Sequence, residues 1–235
     1  MKLSEFFDHL SFGELAQYSI GTDDSGKIAV KDYPRMVSII NLGLTRLHVR
    51  LPLVVKRLNL EVTSDRKEYL LSSSVARTSM LPTDDVKDFY LLDEGVVFED
   101  NVLAVIGIND EDGTPIVFNN EFAEDTVLVD ASRIKFDDPV PGIYSITYQA
   151  NHPRIPMSKR IDPETIDLDI PEYLVEILLQ FCAGKVLGSG GNIESIQEGQ
   201  VKMQIFEKLV AQIEESGMVP EPTPTAQRHR DSGWV

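Results

Sequence analysis

Apolar residues recur at spacings of three and four near both ends of the chain, and at a spacing of two between them. The first pattern is typical of helices with one buried face, and the second is typical of half-buried strands. Because a helix with a single apolar face needs a partner face, we expect the two ends of the chain to pack together. The sequence therefore predicts an α+β fold, in which both ends form one helical bundle and an antiparallel β domain is inserted between them.

The helical pattern at the N-terminus covers residues 1–56. Residues 4–19 have the pattern of two short helices, with a Ser-Phe-Gly-Glu capping box at 11–14. A longer helix is expected to begin at Asp32, with Pro34 in its first turn, and to end near residue 52, which is proline. Its apolar stripe, which we expect to face the core, consists of Val37, Ile40, Leu44, Leu47 and Leu51.

The inserted β domain is predicted at residues 57–155, with five to seven short strands. Apolar and polar residues alternate at 58–62, and 101–118 has the pattern of a hairpin with Asp112 and Gly113 at its turn. A further strand is expected to bury Tyr144, Ile146, Tyr148 and Ala150. Since no helical pattern intervenes, we expect an antiparallel sandwich or barrel rather than a parallel α/β sheet.

The C-terminal helical part is predicted at residues 156–217, and a proline-containing connector at 151–170 precedes its helices. Pro171 is expected to open the first helix and a glycine-rich loop at 188–191 to end it. Gly217 is expected to stop the second helix in the left-handed conformation. The expected core positions of the two helices are Leu174, Ile177, Leu178, Phe181, Ile196, Met203, Phe206, Leu209, Val210 and Ile213.

The last 18 residues, 218–235, have no hydrophobic period and are predicted to form an extended tail. They contain the only tryptophan of the chain, and tryptophan and arginine are the residue types most enriched as interface anchors. We therefore expect the tail to bind a partner through Pro220, Pro222, Pro224, Arg228, His229, Arg230 and Trp234. The alternative is a disordered end with an incidental aromatic residue.

Composition restricts the possible classes of function. The chain has 235 residues, 42% of them apolar, and a formal charge of −16. Such a surface repels phosphate, so sequence-specific binding of nucleic acid is not expected. A single cysteine, Cys182, provides no disulfide framework, and no apolar stretch approaches the length of a membrane span or a secretory leader. We expect a soluble protein made in a reducing compartment.

Motifs that carry chemistry are weak in this sequence. The spacing G-x-x-x-x-G-K occurs at 21–27, but Ile28 stands where a phosphate-binding loop needs a hydroxyl group, and two aspartates lie inside the loop. The four histidines show no metal-binding spacing. We expect no catalytic residues, no metal and no cofactor, and a hydrolase with paired carboxylates is the third-ranked alternative.

Three runs of residues carry a resemblance to a known family. They are the 11–15 helix with its acidic turn, the long helix at 39–48, and the closing pair at 171–178 and 193–216 with the glycine loop between its helices. In these runs and in its layout the chain resembles the head-to-tail adaptor proteins of short-tailed bacteriophages, of the tail tubular protein A type. The likeness covers the first 55 and the last 65 residues, and the β part only by position and type.

The resemblance implies a structural role in the virion neck and no enzymatic activity. Such adaptors form a ring, usually of twelve copies, between the portal and the tail nozzle, and extend the channel through which DNA passes without specific binding. Their C-terminal extensions reach the portal, and an outward β insertion can support a fibre or spike. The chain would be made in the host cytoplasm.

The alternative function is a binding module, in which the β domain recognises a carbohydrate or a protein and the helices only oligomerise. An exposed cluster of aromatic residues on the β domain would favour a carbohydrate, but Tyr144 and Tyr148 alternate as core residues do. In the adaptor hypothesis, a ring of such acidic subunits needs basic residues at its contacts. The candidates for inter-subunit contacts are Lys56, Arg57, Lys67, Arg154, Lys159 and Arg160.

Overall fold

The structure is a computed structural model that describes residues 1–17, 26–78, 89–93, 97–120, 127–158 and 161–217. Within these residues the chain divides into two compact units. The helical unit contains Met1–Leu51 and the residues from His152 to 217, and the β unit contains Pro52–Asn151. Both ends of the described chain therefore belong to one unit. The borders lie a few residues before those expected from the sequence, at 56/57 and 155/156.

The helical unit has four α-helices among its described residues. They are α1 (Leu3–His9), α2 (Tyr33–Arg50), α3 (Val175–Gly188) and α4 (Ile193–Ser216). A π-helical turn, Leu10–Glu14, continues α1, and short 3-10 turns occur at Val30–Asp32, Pro163–Thr165 and Glu172–Leu174.

Helix α2 confirms its sequence prediction closely. It begins after Asp32, carries Pro34 in its first turn and ends at Arg50, before Pro52. Proline is tolerated in a first turn because no backbone acceptor is available there for an N–H group. All five residues of the predicted stripe, from Val37 to Leu51, are buried.

Helices α3 and α4 are antiparallel, and glycine residues let their backbones approach each other closely. The rings of Phe181 and Phe206 have their centroids 5.1 Å apart, and Gly184 lies against Met203. A Cβ atom added to Gly199 would lie 2.5 Å from the backbone nitrogen of Gly188, which is closer than real Cβ atoms come. The backbones of the two helices are therefore in direct contact at this point.

The ends of α4 follow from its local sequence. The Asn192 side chain accepts a hydrogen bond from the backbone N–H of Ser195, 2.7 Å away, and so caps the first turn. Gly217 has φ 62° and ψ 18°, which confirms the predicted left-handed stop. The core face is narrower than predicted: Phe206 and Val210 are buried, but Ile196 is exposed over more than a third of its surface.

The predicted capping box at 11–14 is wrong. Ser11 lies inside the π-helical turn, and its buried hydroxyl has no hydrogen-bond partner among the described residues. Glu5 performs the expected capping instead, because its carboxylate accepts a hydrogen bond from the backbone N–H of Lys2, 2.9 Å away. The carboxylate of Glu14 binds Lys202 of α4. The second short helix predicted for this region is therefore a continuation of the first.

The β unit contains eight strands in its described part, in two sheets. The strands are β1 (Val55–Val62), β2 (Glu68–Leu70), β3 (Ala76–Thr78), β4 (Leu91–Asp93), β5 (Val102–Asn109), β6 (Val127–Val129), β7 (Arg133–Phe136) and β8 (Gly142–Ala150). The larger sheet has the order β3-β4-β1-β8-β5, and the smaller sheet has the order β2-β7-β6. All eight residues of β1 pair with β8, which makes these two strands the centre of the unit.

Three details of the β prediction need correction. The described part has eight strands rather than five to seven, and it contains no closed barrel. Strands β3 and β4 are parallel, so the larger sheet is mixed. The expected second arm of the hairpin at 116–118 is not a strand, although Ile116 donates a backbone hydrogen bond to Ile108. The turn itself is as predicted, since Gly113 has a φ of 78°.

One hydrophobic core contains residues from both sheets. The alternation predicted for β8 is confirmed, because Tyr144, Ile146, Tyr148 and Ala150 are buried. The ring of Phe136 in β7 lies 5.4 Å from that of Tyr144 in β8. Burial raises the pKa of Tyr148 to about 12. The tyrosines of this strand therefore serve as apolar packing groups.

Candidate assembly surfaces

Helix α4 has a second apolar face, opposite the one that packs on α3. Ile193 is 76% exposed, Val201 52% and Ile205 36%, and their spacings of eight and four place them on one side of the helix. Phe206 and Val210 occupy the other side and are buried. We call the exposed set the outer stripe of α4. An exposed apolar stripe on an otherwise charged helix is typical of a surface that meets another molecule.

Helix α2 also exposes large apolar residues. Leu42 and Val49 lie seven residues apart, and each is more than half exposed. Seven residues are close to two helical turns, so both side chains lie on the same side of α2. The helical unit thus carries apolar groups on the outside of two of its long helices.

Ion pairs join α2 to α4. The guanidinium of Arg50 donates two hydrogen bonds to the carboxylate of Glu214, at 2.7 and 2.6 Å. Arg46 lies 2.5 Å from Glu207, which also pairs with Arg50 at 3.2 Å. The hydrogen bond from Arg50 lowers the pKa of Glu214. The positive charges of α2 are therefore largely neutralised within the subunit.

A further ion pair, between Lys202 and Glu14, ties α4 to the π-helical turn. Both side chains are only about one fifth exposed, at 20% and 22%. Solvent screens such a pair less than it screens the α2–α4 pairs, so the contact fixes the N-terminal segment more firmly. Position 14 was expected to cap a helix, and the structure gives it this long-range contact instead.

Two histidines and an asparagine form a buried polar cluster in the helical unit. The rings of His48 and His152 have their centroids 5.5 Å apart. The amide of Asn41 donates to the carbonyl of Ile155 at 2.9 Å and accepts from its N–H at 3.0 Å. The described residues contain no group of three or more metal-ligating side chains. The cluster joins α2 to the segment after the β unit.

Burial controls the titration of His48. Its pKa is lowered from the ordinary 6.5, because burial disfavours the imidazolium form, and nearby His152 lowers it further. A hydrogen bond to the carbonyl of Leu44 and the charge of Asp169 act in the opposite direction. Cys182 is also fully buried, and burial raises the pKa of its thiol. It is a packing residue, as expected from the sequence.

The described members of the predicted basic contact set are divided between the two units. Lys56 and Arg57 lie on β1 in the β unit, and Lys56 pairs with Glu99 at 3.7 Å. Lys67 donates a hydrogen bond to the backbone carbonyl of Asp137. Arg154 is exposed and belongs to the helical unit. The other two candidates, Lys159 and Arg160, lie outside the described residues.

All of the predicted tail contacts lie outside the described residues: Pro220, Pro222, Pro224, Arg228, His229, Arg230 and Trp234. The structure brings forward a different set that the sequence interpretation did not select, namely the outer stripe of α4. The sequence does contain the pattern of this stripe, because Ile193, Val201 and Ile205 lie on the side of the predicted helix opposite its assigned core face. Without the partner helix, however, an apolar side chain on either face has the same appearance in the sequence.

Comparison with known proteins adds no family assignment. No protein-family model matches the sequence, and no curated protein is significantly similar to it. Among the described helices, none combines the length and the apolar composition needed to cross a membrane.

Proposed function

We propose that the chain is a head-to-tail adaptor, which forms a ring between the portal and the tail nozzle of a short-tailed bacteriophage. Two properties of the helical unit support the proposal. It joins both ends of the described chain, and it presents the outer stripe of α4 on its surface. Association with another copy that covers such an apolar helix face is favourable, because it removes the face from water.

The outer stripe of α4 supports ring formation. When one copy places this stripe against a different surface of its neighbour, the contact is heterologous, and repetition of the same rotation closes a ring. Leu42 and Val49 on α2 are the apolar groups available on a second long helix of the unit. In this arrangement the ring contact is mainly apolar, and the basic residues of α2 remain paired with α4.

The charge of the chain supports a channel function. A formal charge of −16 per subunit gives a ring whose lumen repels phosphate, so DNA passes without sticking. No cofactor and no membrane contact enters the proposal. The subunit is made in the host cytoplasm and ends in the neck of the virion.

In the proposal the β unit and the tail are attachment elements. We propose that the two sheets, which contribute residues to one hydrophobic core, form a sandwich, and that the unit supports a fibre or spike at the edge of the ring. The tail, 218–235, binds the portal through Trp234 and its neighbouring arginines. Tryptophan and arginine are among the residue types that most often carry the binding energy of protein interfaces.

The alternative, a carbohydrate-binding β module, has less support. Sugar-binding sites need exposed aromatic rings, and the described aromatic residues of the β unit are buried or half-buried. The buried ones are Tyr69, Tyr90, Phe98, Phe136, Tyr144 and Tyr148. Recognition of a protein by the β unit is compatible with the adaptor function, since fibre attachment is such a contact.

Removal of the tail tests the proposal. We expect a chain that ends at Gly217 to keep its fold and its ring, because the described helical unit ends there. It should lose binding to the portal, measured by mass photometry of the ring mixed with isolated portal. A chain with Trp234→Ser alone is the milder variant. Portal binding that survives the truncation would refute the role of the tail.

A further inference from the structure

A groove between α1 and α3 combines acidic and apolar groups. It encloses about 570 Å³, which is within the range of small-ligand pockets. Its carboxylates are exposed and its apolar residues are half-buried, so the charges form the rim and the apolar groups form the floor. The carboxylates belong to Glu5, Glu172 and Glu176, and the apolar side chains belong to Ile170, Val175 and Leu179.

The groove continues along α1. A second hollow of about 460 Å³ shares Glu5 and His9 with the first and adds Asp8 and Phe12. The ring of Phe12 is more than half exposed there. Two groups that line the first hollow can carry a positive charge: the α-amino group of Met1 and the imidazole of His9. Three glutamates outnumber them, so the first hollow attracts a positive charge.

These features favour an occupant with a cationic group and an aromatic group about 10 Å apart. Glu5 and Phe12 are seven helical positions apart, which corresponds to about 10 Å along the helix. An extended peptide covers that distance in three or four residues. Arg230 and Trp234 are four residues apart in the sequence. Residues 226–235 contain two arginines against one aspartate, Asp231, so this segment matches the groove in charge, residue type and spacing.

The tail also begins close enough to reach the groove. The contacts of Phe181 with Phe206 and of Gly184 with Met203 place Val175 level with position 212 of α4. Gly217 is five residues farther on, about 7 Å along the axis. The groove lies on the side of α3 away from α4, so the chain must pass around a helix about 10 Å in diameter. The ten residues 218–227 span up to about 33 Å, which is sufficient.

From these observations we infer that residues 226–235 of the same chain occupy the acidic groove. The guanidinium groups of Arg228 and Arg230 bind the three glutamates, and the indole of Trp234 packs on Phe12. In the free subunit this contact covers the anchor residues of the tail. The inference does not depend on the adaptor function, because it concerns the isolated chain.

The single tryptophan provides a direct test on the full-length chain. We expect the fluorescence emission of Trp234 to be blue-shifted and protected from acrylamide in the wild type. The blue shift should be lost in the triple variant E5Q/E172Q/E176Q. It should also be lost in R228S/R230S, which leaves every described residue unchanged. Added salt should reduce the shift, because it screens the contact between the guanidinium groups and the carboxylates.

A matched control separates the groove from the overall charge. The triple variant E61Q/E194Q/E215Q removes the same charge from glutamates outside the groove, and it should keep the wild-type emission. Emission typical of free indole in the wild type would overturn the inference, and so would a blue shift that the groove and tail variants leave unchanged. A blue shift that appears only as concentration rises would also overturn it, because the occupant would then be the tail of a neighbouring copy.

Discussion

At the scale of single residues, the contact between α3 and α4 depends on the missing side chain of Gly199. The backbone nitrogen of Gly188 and the backbone oxygen of Gly184 would lie 2.5 and 2.9 Å from a Cβ atom there. Backbone atoms cannot turn away as a flexible side chain can, so a methyl group must push the helices apart.

We expect Gly199→Ala to lower the free energy of unfolding by about 1–3 kcal/mol. The overlap must outweigh the better helix propensity of alanine, which favours the variant by about 1 kcal/mol. Urea denaturation measures the change. Gly188→Ala is the control, because a Cβ atom at Gly188 meets nothing within 4 Å. Equal stability of the two variants would contradict the close contact between the backbones.

His48 gives the protein a dependence of stability on pH. Its pKa in the folded chain is below the unfolded value of 6.5, mainly because it is buried. Between these two values the unfolded chain binds more protons, so stability falls as pH decreases below about 6.5. One group contributes a slope of at most about 1.4 kcal/mol per pH unit.

We expect His48→Gln to flatten this slope in the pH range just below 6.5. The measurement is the free energy of unfolding of both proteins at several pH values in that window. Carboxylates such as Glu214, whose pKa is lowered, contribute only at more acidic pH. A variant with the same slope as the wild type would show that His48 is not the group that titrates.

Residue chemistry was only partly predictable from the sequence. The left-handed Gly217 was predictable because the preference is local, and the burial of Cys182 followed from its apolar neighbours. The capping box at 11–14 failed because its two residues are used by distant parts of the chain: Ser11 is buried, and Glu14 pairs with Lys202. Local sequence cannot show a partner that lies 188 positions away.

At the scale of elements, the bidentate pair between Arg50 and Glu214 is the strongest geometric link between α2 and α4. A double-mutant cycle with Arg50→Ala and Glu214→Ala should give a coupling of about 0.5–1 kcal/mol, since about one third of each side chain is exposed. The coupling should decrease in high salt. The single hydrogen bond of Arg133 to Glu68, which is half exposed, is the matched control and should give less. A coupling near zero for the first pair would mean that the packing of α4 on α3, and not this ion pair, holds α4 in place.

Elements with one buried face were predicted well. Helix α2 has a regular period over its whole length and strand β8 alternates over most of its length, so the tertiary contacts agree with the local pattern. Helix α4 was harder because it has two apolar faces: the face with Phe206 and Val210 was assigned to the core, but the outer stripe was not recognised as an exposed surface. The parallel pairing of β3 with β4 was missed since each has only three residues, too few to show a period.

At the scale of the whole molecule, the charge of −16 opposes assembly. We expect rings to form more readily in moderate salt or with divalent cations, because screening reduces the repulsion between subunits. Sedimentation velocity at several salt concentrations measures the effect. Sodium chloride at the ionic strength of the magnesium solution is the control for specific binding of the cation. Assembly that weakens as salt rises would indicate that ion pairs between subunits dominate the contact.

The division of the molecule was predictable because the period of the sequence changes twice. Chain ends with helical pattern and a middle with strand pattern are enough to suggest an inserted unit, and the structure places both described ends in one unit. The outer surface was not predictable in the same way. Which residues remain exposed depends on how the helices pack, and the outer stripe of α4 became recognisable only once α3 covered the other face.

Imaging of the purified chain mixed with isolated portal tests the central claim most directly. Negative-stain electron microscopy and mass photometry should show rings of about twelve copies seated on portals, as closed heterologous assembly predicts. A variant with Ile193→Ser, Val201→Ser and Ile205→Ser should remain folded and form no rings, and Leu128→Ser in the β unit should form them normally. The adaptor function would be contradicted if the chain formed only small oligomers that do not bind the portal.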